Sequence, residues 1–436
     1  MDSNVKTSRS EGAVVKGSAP LTERRYAVPF VLITSLFFLW GFARAILDVL
    51  NKHFQTSLHI SITQSSLVQV TTYLGYFLMA IPAGLLINRV GYKRGVITGL
   101  LLYAVGAFLF VPAAWDGSFG GYLAALFVIA CGLVFLETAA NPYTTELGPR
   151  QTASSRLNLA QSFNGMGSAL APIVVGGLLF SGSGADVSVP YVVMGVVVLA
   201  AAFIFSRSQL PEIQREGGEE IEAEGVRRSG WANIRQLLGN RTFLFGLLAL
   251  LAYEVSEISI NSYFINFTTG MGWLTAANAS YILGLSLFIF MGGRFVGSWV
   301  MRRVAACRVL LWCACGSVLC IGLLLLTAHY NFSFFTFHFS FFTFHFSLFL
   351  LVANYFFEAI MFPTIFSLAL RGLGPLTKSA SSLLMMTPVG GCGFLLMALM
   401  ADASGSLVLP FLIPFVGYIV VLAYATFGLG RGANRD

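Results

Sequence analysis

Val134–Asn164 reads VFLETAANPYTTELGPRQTASSRLNLAQSFN. The stretch opens inside an apolar run of membrane-spanning length and places a carboxylate there, Glu137. It closes inside the next apolar run with Gln161 and Asn164, three residues apart and therefore neighbours on one helical face. A lone carboxyl in hydrocarbon costs several kcal/mol, so such a residue faces a hydrated path or a partner. Polar side chains on two consecutive spans imply a hydrophilic cavity within the membrane.

The flanking sequence has the same character. Of 436 residues, 56% are hydrophobic and only 10% charged. A soluble core has no use for that much apolar sequence, whereas a helix bundle facing lipid needs it. Twelve apolar spans are expected near 28–54, 63–88, 95–113, 120–146, 157–180, 189–206, 242–267, 275–300, 309–328, 346–370, 376–401 and 406–429. Residues 1–27 form a polar tail, 28–206 a first six-helix bundle, 207–241 a charged linker, 242–429 a second six-helix bundle and 430–436 a short tail. No short apolar signal-peptide core precedes the first span.

Positive charge orients this plan. With the N-terminus cytoplasmic, all but three of the 26 Lys and Arg fall on cytoplasmic loops, linker and tails. The exceptions are Arg44 and Arg294 within spans and Lys52 at an outer end. That asymmetry accounts for the net charge of +7 without a nucleic-acid partner. The expected setting is a multi-pass protein of the plasma membrane, a monomer with both termini cytoplasmic.

The halves repeat. FLETAANPYTTELGP (135–149) returns as FFEAIMFPTIFSLALRGLGP (356–375), with a glutamate five residues before a proline in each: Glu137 to Pro142, Glu358 to Pro363. Paired halves with a site between them near the midplane are the plan of an alternating-access carrier. A tandem SFFTFHF (333–339 and 340–346) reads as a low-complexity lengthening of the loop before span 10, rather than as a metal pair of His338 and His345. The six cysteines read as small apolar packers. No Ser/His/Asp set, metal cluster or phosphate loop stands out, so neither an enzyme, a cofactor nor a bound metal is expected.

Segments covering residues 28–429 resemble the major facilitator superfamily, and within it the L-fucose/proton symporter branch. They include PFVLITSLFFLWGFARAILDVLN (29–51), GYFLMAIPAGLLINRVGYKRG (75–95), LETAANPYTTELGP (136–149), RLNLAQSFN (156–164) and GGRFVGSW (292–299). The resemblance implies an all-α membrane fold of twelve helices in two six-helix pseudo-symmetric halves. It also implies symport of a monosaccharide with a proton, with Asp48 and Glu137 as coupling acids and Gln161 and Asn164 lining the sugar cavity. The family's fucose carriers have paired asparagines where this chain has Arg44 and Ala45.

The residues fit that chemistry. Amide side chains both donate to and accept from sugar hydroxyls, which favours Gln161, Asn164 and Asn141 as substrate contacts. Glu257 is the expected second-half contact, with Glu358 behind it. Arg44 precedes Asp48 by four residues, so an ion pair between them within span 1 is expected. The alternative is that Arg44 reads an anionic substrate such as a sugar acid. Arg294 is expected to lock an acid or a helix end. A facilitator of another metabolite and a non-transporting sugar sensor are the competing functions.

Overall fold

A computed structural model describes residues 22–149, 152–180, 186–208, 234–301, 303–328, 337–339, 342–344, 346–373 and 376–428. Residues 1–21 of the expected N-terminal tail, the C-terminal tail and most of the linker lie outside the described residues. The linker's residues 234–239 are helical.

Among the described residues, twelve helices are long and apolar enough to cross a membrane: α1 Arg24–Leu58, α2 Ile62–Ile87, α3 Tyr92–Asp116, α4 Phe119–Asn141, α5 Leu159–Phe180, α6 Ser188–Arg207, α7 Arg241–Gly270, α8 Ala276–Val300, α9 Ala306–Thr327, α10 Phe346–Ala369, α11 Thr387–Ser404 and α12 Leu409–Phe427. The protein is a multi-pass, all-helical membrane protein. Large apolar side chains left exposed around the bundle, such as Ile81, Phe203, Phe295, Trp312 and Val416, supply the surface that acyl chains solvate.

Among the described residues, the strands lie in the SFFTFHF duplication. Phe337–Phe339 (β1) and Phe342–Phe344 (β2) pair antiparallel, with His338 opposite Thr343. Alternating Phe and polar residues suit a short hairpin better than a helical turn. His345 lies outside the described residues.

Small residues set the closest helix contacts. A Cβ on Gly167 would meet the Phe42 backbone nitrogen at 3.0 Å, and one on Gly41 would meet Ser168 Oγ at 2.9 Å. Those glycines let α1 and α5 touch backbone to backbone, and Ser168 Oγ then donates to Gly41 O at 3.1 Å. In α11, residues Thr387–Gly393 tighten into a 3-10 segment whose glycines admit side chains of α7 and α2.

The repeat is conserved in placement but not in helix continuity. The helix holding Glu137 runs unbroken through Phe119–Glu146, whereas α10 breaks into Phe346–Glu358 and Met361–Ala369. Pro363 has no N–H to offer the Ala359 carbonyl, so that acceptor is orphaned at the break. Arg294 of α8 takes it, Nε to Ala359 O, at 3.3 Å.

A second arginine closes the first half. Arg156 is fully buried and donates to the carbonyls of Thr144, Gly148 and Pro149 and to Thr152 Oγ1, at 2.8–3.2 Å. It thus caps carbonyls at the end of the Glu137 helix and in the turn that follows it.

Lys93 in the first turn of α3 donates to Ser206 O and Ser208 O at 3.0 and 2.8 Å, so the start of α3 and the end of α6 share one basic face with Arg207. Relative to this basic face, contacts between the halves gather from mid-membrane to the opposite side. Thr63 N donates to Asp402 Oδ2 at 2.8 Å, and Gly176, Gly177 and Gly284 pack on Ser280, Tyr281 and Ile173.

Candidate functional site

Between the halves lies an open cavity of about 650 Å³, counted with its mouth, which is within the range of small-molecule sites. Its wall draws on α1, α2, α5, α7 and α8, so both halves contribute. The polar part comprises Arg44, Asp48, Gln69, Tyr73, Asn164, Ser168, Glu257, Asn261 and Arg294.

Arg44 and Asp48 share this wall, as four-residue spacing on α1 requires, yet each has another partner. Arg44 Nη2 lies 3.7 Å from Glu257 Oε2 across the half-interface, and its Nε donates to the Tyr73 hydroxyl at 3.2 Å. Asp48 Oδ1 accepts from Ser262 Oγ of α7 at 2.8 Å. The expected ion pair within span 1 is therefore replaced by contacts between helices. Tyr73 and Glu257 draw the guanidinium one way, and Ser262 holds the carboxylate another. The Arg44 side chain remains 39% exposed, against 12% for Glu257.

Asn164 also reaches the wall, its Nδ2 donating to Phe37 O at 3.2 Å. Glu257 is fixed by Asn261, whose Nδ2 donates to Oε1 at 3.0 Å. Four of the eight residues singled out from sequence thus meet here: Arg44, Asp48, Asn164 and Glu257.

The other four do not line it. Gln161 and Asn141 are half-buried and bonded to each other, Nε2 to Oδ1 at 3.4 Å. Glu137 is half-buried on α4, in Coulombic range of Arg44 and of Tyr76, whose hydroxyl accepts from Trp40 Nε1 at 2.9 Å. Glu358 is fully buried among α10 and α12, accepting from Asn354 and Tyr418. It is off the cavity wall and in Coulombic range of Glu257.

Gln69 and Tyr73 escaped sequence reading. They stand four apart in a span, which is a legible one-face signal. Gln69 accepts from Asn51 at 2.7 Å and donates to Leu47 O at 3.3 Å, tying α2 to α1. Glu254, one turn before Glu257, is 5% exposed and packs against Gly390. Among the described residues no group of three or more His, Cys, Asp or Glu could hold a metal ion.

The Major Facilitator Superfamily model matches residues 33–387. The chain belongs to that superfamily. Within it, the relatives place the chain in the branch of the L-fucose–proton symporter. A glucose/galactose transporter of Brucella abortus is 32% identical over 419 residues, covering 93% of this chain and 95% of the relative. The L-fucose–proton symporter of Escherichia coli is 33% identical over 438 residues, covering 94% and 95%. A crystal structure of the superfamily transporter FucP in the outward conformation superposes with a TM-score of 0.66 at 32% identity, over 93% of this chain and 99% of that one. The fold of this facilitator is thus shared with FucP.

Proposed function

We propose that this facilitator is a secondary transporter that imports a monosaccharide together with a proton by alternating access. The observation that carries the reading is a cavity between the two halves, where carboxyl, amide and aromatic groups of both converge. Amide and carboxyl groups match sugar hydroxyls, and Tyr73 and Phe290 offer faces for the apolar side of a pyranose. The named activities of its relatives, fucose–proton symport and glucose/galactose transport, supply the substrate class.

In this reading Asp48 and Glu137 carry the proton. Asp48 touches the cavity and, through Ser262, the opposite half, so its protonation alters a contact between the halves. Glu137 works from the layer behind Trp40 and Tyr76. Asn164 and Glu257 contact the sugar, with Gln161 and Asn141 joining when the halves rearrange. The protein acts as a monomer in the plasma membrane and performs no covalent chemistry. The bundles 28–206 and 242–429 move as units about the linker 207–241. With the basic face cytoplasmic, the seal around Thr63 and Asp402 is external and the described state faces inward.

Purified protein in proteoliposomes tests this directly. An imposed proton gradient should drive accumulation of labelled galactose or fucose, and sugar addition should draw protons inward. Uptake indifferent to the gradient would replace symport by facilitated diffusion. Binding without uptake of any sugar would leave a sensor.

A further inference from the structure

The charges on the cavity wall are not evenly matched. Arg44 faces Glu257, and Asp48 accepts from Ser262. Arg294 has no carboxylate within ion-pair distance among the described residues, although it lies in Coulombic range of the buried Glu254. Its Nε is spent on the carbonyl that Pro363 orphans, at 3.3 Å, and its guanidinium carbon sits 4.7 Å from the centre of the Phe290 ring. Those two contacts fix the plane of the guanidinium. Its two Nη groups, with four N–H donors, meet no acceptor among the described residues.

A guanidinium so oriented, with its outer edge unspent, has the geometry of a carboxylate receptor. Asn164 and Asn261 stand on the same wall, and Asn261 Oδ1 is buried without a donor. The proposed proton on Asp48 would leave two guanidinium groups on the wall against the one carboxylate of Glu257. A substrate carrying its own negative charge removes the excess.

We propose that the monosaccharide this cavity accepts is a sugar acid of the hexuronate class, with Arg294 receiving its carboxylate and Asn164 and Asn261 its hydroxyls. The inference rests on the proposed symport and deepens it. One proton with one uronate anion carries no net charge, so such transport ignores membrane potential, whereas neutral sugar with a proton does not.

The test uses the full-length protein in proteoliposomes under a proton gradient, with labelled galacturonate and labelled galactose measured separately. Galacturonate should enter, compete with galactose, and show rates unchanged when potassium and valinomycin set the potential to either sign. In R294Q the preference for galacturonate over galactose should fall by at least about tenfold, the loss expected for one charge-assisted contact, with R294K between the two. Proton-driven galactose uptake that galacturonate neither shares nor inhibits would overturn the inference and leave the symport reading standing. An unchanged preference in R294Q would overturn the role of Arg294. Movement of neither sugar would remove both readings. The wild-type competition decides the first point even if R294Q folds poorly.

Discussion

Arg44 holds one helix of each half through a single guanidinium, with Tyr73 at its Nε and Glu257 at its Nη2. Removing it leaves Glu257 facing the cavity with only Asn261 as donor. Breaking a fully buried pair costs about 3–5 kcal/mol, and the partial exposure of Arg44 reduces that to about 1–2 kcal/mol here. R44M should therefore lower the unfolding midpoint of the detergent-solubilised protein, and the R44M/E257Q double variant should recover most of the loss. Glu137→Gln should abolish proton-driven accumulation while leaving sugar exchange between preloaded vesicles and medium. Initial uptake should fall as external pH rises, because the proton is a co-substrate, and that dependence should vanish in the same variant. The residue types of this site were legible in the sequence because acids and amides in apolar spans are too costly to be incidental. Their partners were not. Four-residue spacing put Arg44 and Asp48 on one face correctly, but Ser262 and Glu257, more than 200 residues away, determine which atoms meet.

At the scale of helices, two arginines repair backbone that the sequence leaves incomplete. Arg156 serves three carbonyls and a hydroxyl without exposure. Hydrogen bonds from a charged group contribute about 1.5–3 kcal/mol each net of exchange with water, so R156A should cost about 3 kcal/mol or more and depress the yield of folded protein. Size-exclusion profiles and thermal midpoints of R156A against wild type measure it. Gly167 faces Phe38 and Phe42 of α1 at backbone distance. G167L should force α1 and α5 apart and abolish uptake even where protein reaches the membrane. Span positions were readable to within a few residues, since length and hydropathy alone set them, except the start of the eleventh, expected at 376 and found at Thr387 after a separate short helix. Proline at 363 marked a weak point in α10. Nothing local showed that an arginine 69 residues earlier would occupy the carbonyl it frees. Arg156 reads from sequence as one more positive charge in a turn, and only the converging carbonyls reveal its role.

Over the whole molecule, the two halves meet from mid-membrane to the face opposite the basic loops. Thr63 with Asp402, Tyr73 with Gly391, and Gly176 with Ser280 mark that seal. Alternating access requires the seal to open in each cycle. A disulfide between Thr63→Cys and Asp402→Cys should therefore arrest uptake under oxidation and release it under dithiothreitol, with each single variant unaffected by either reagent. The internal repeat pointed to the twelve-helix plan of two related halves. It did not foretell where the halves touch, which depends on the conformation the chain adopts.

The central claim is that a proton and a sugar cross together through this cavity. The most direct measurement is proton flux into proteoliposomes on adding sugar, with no gradient imposed, for wild type, Asp48→Asn and Glu137→Gln. Sugar-evoked proton entry in the wild type, absent from both variants, is the predicted result. Sugar uptake in the wild type without accompanying proton entry, or proton entry undiminished in both variants, would contradict it.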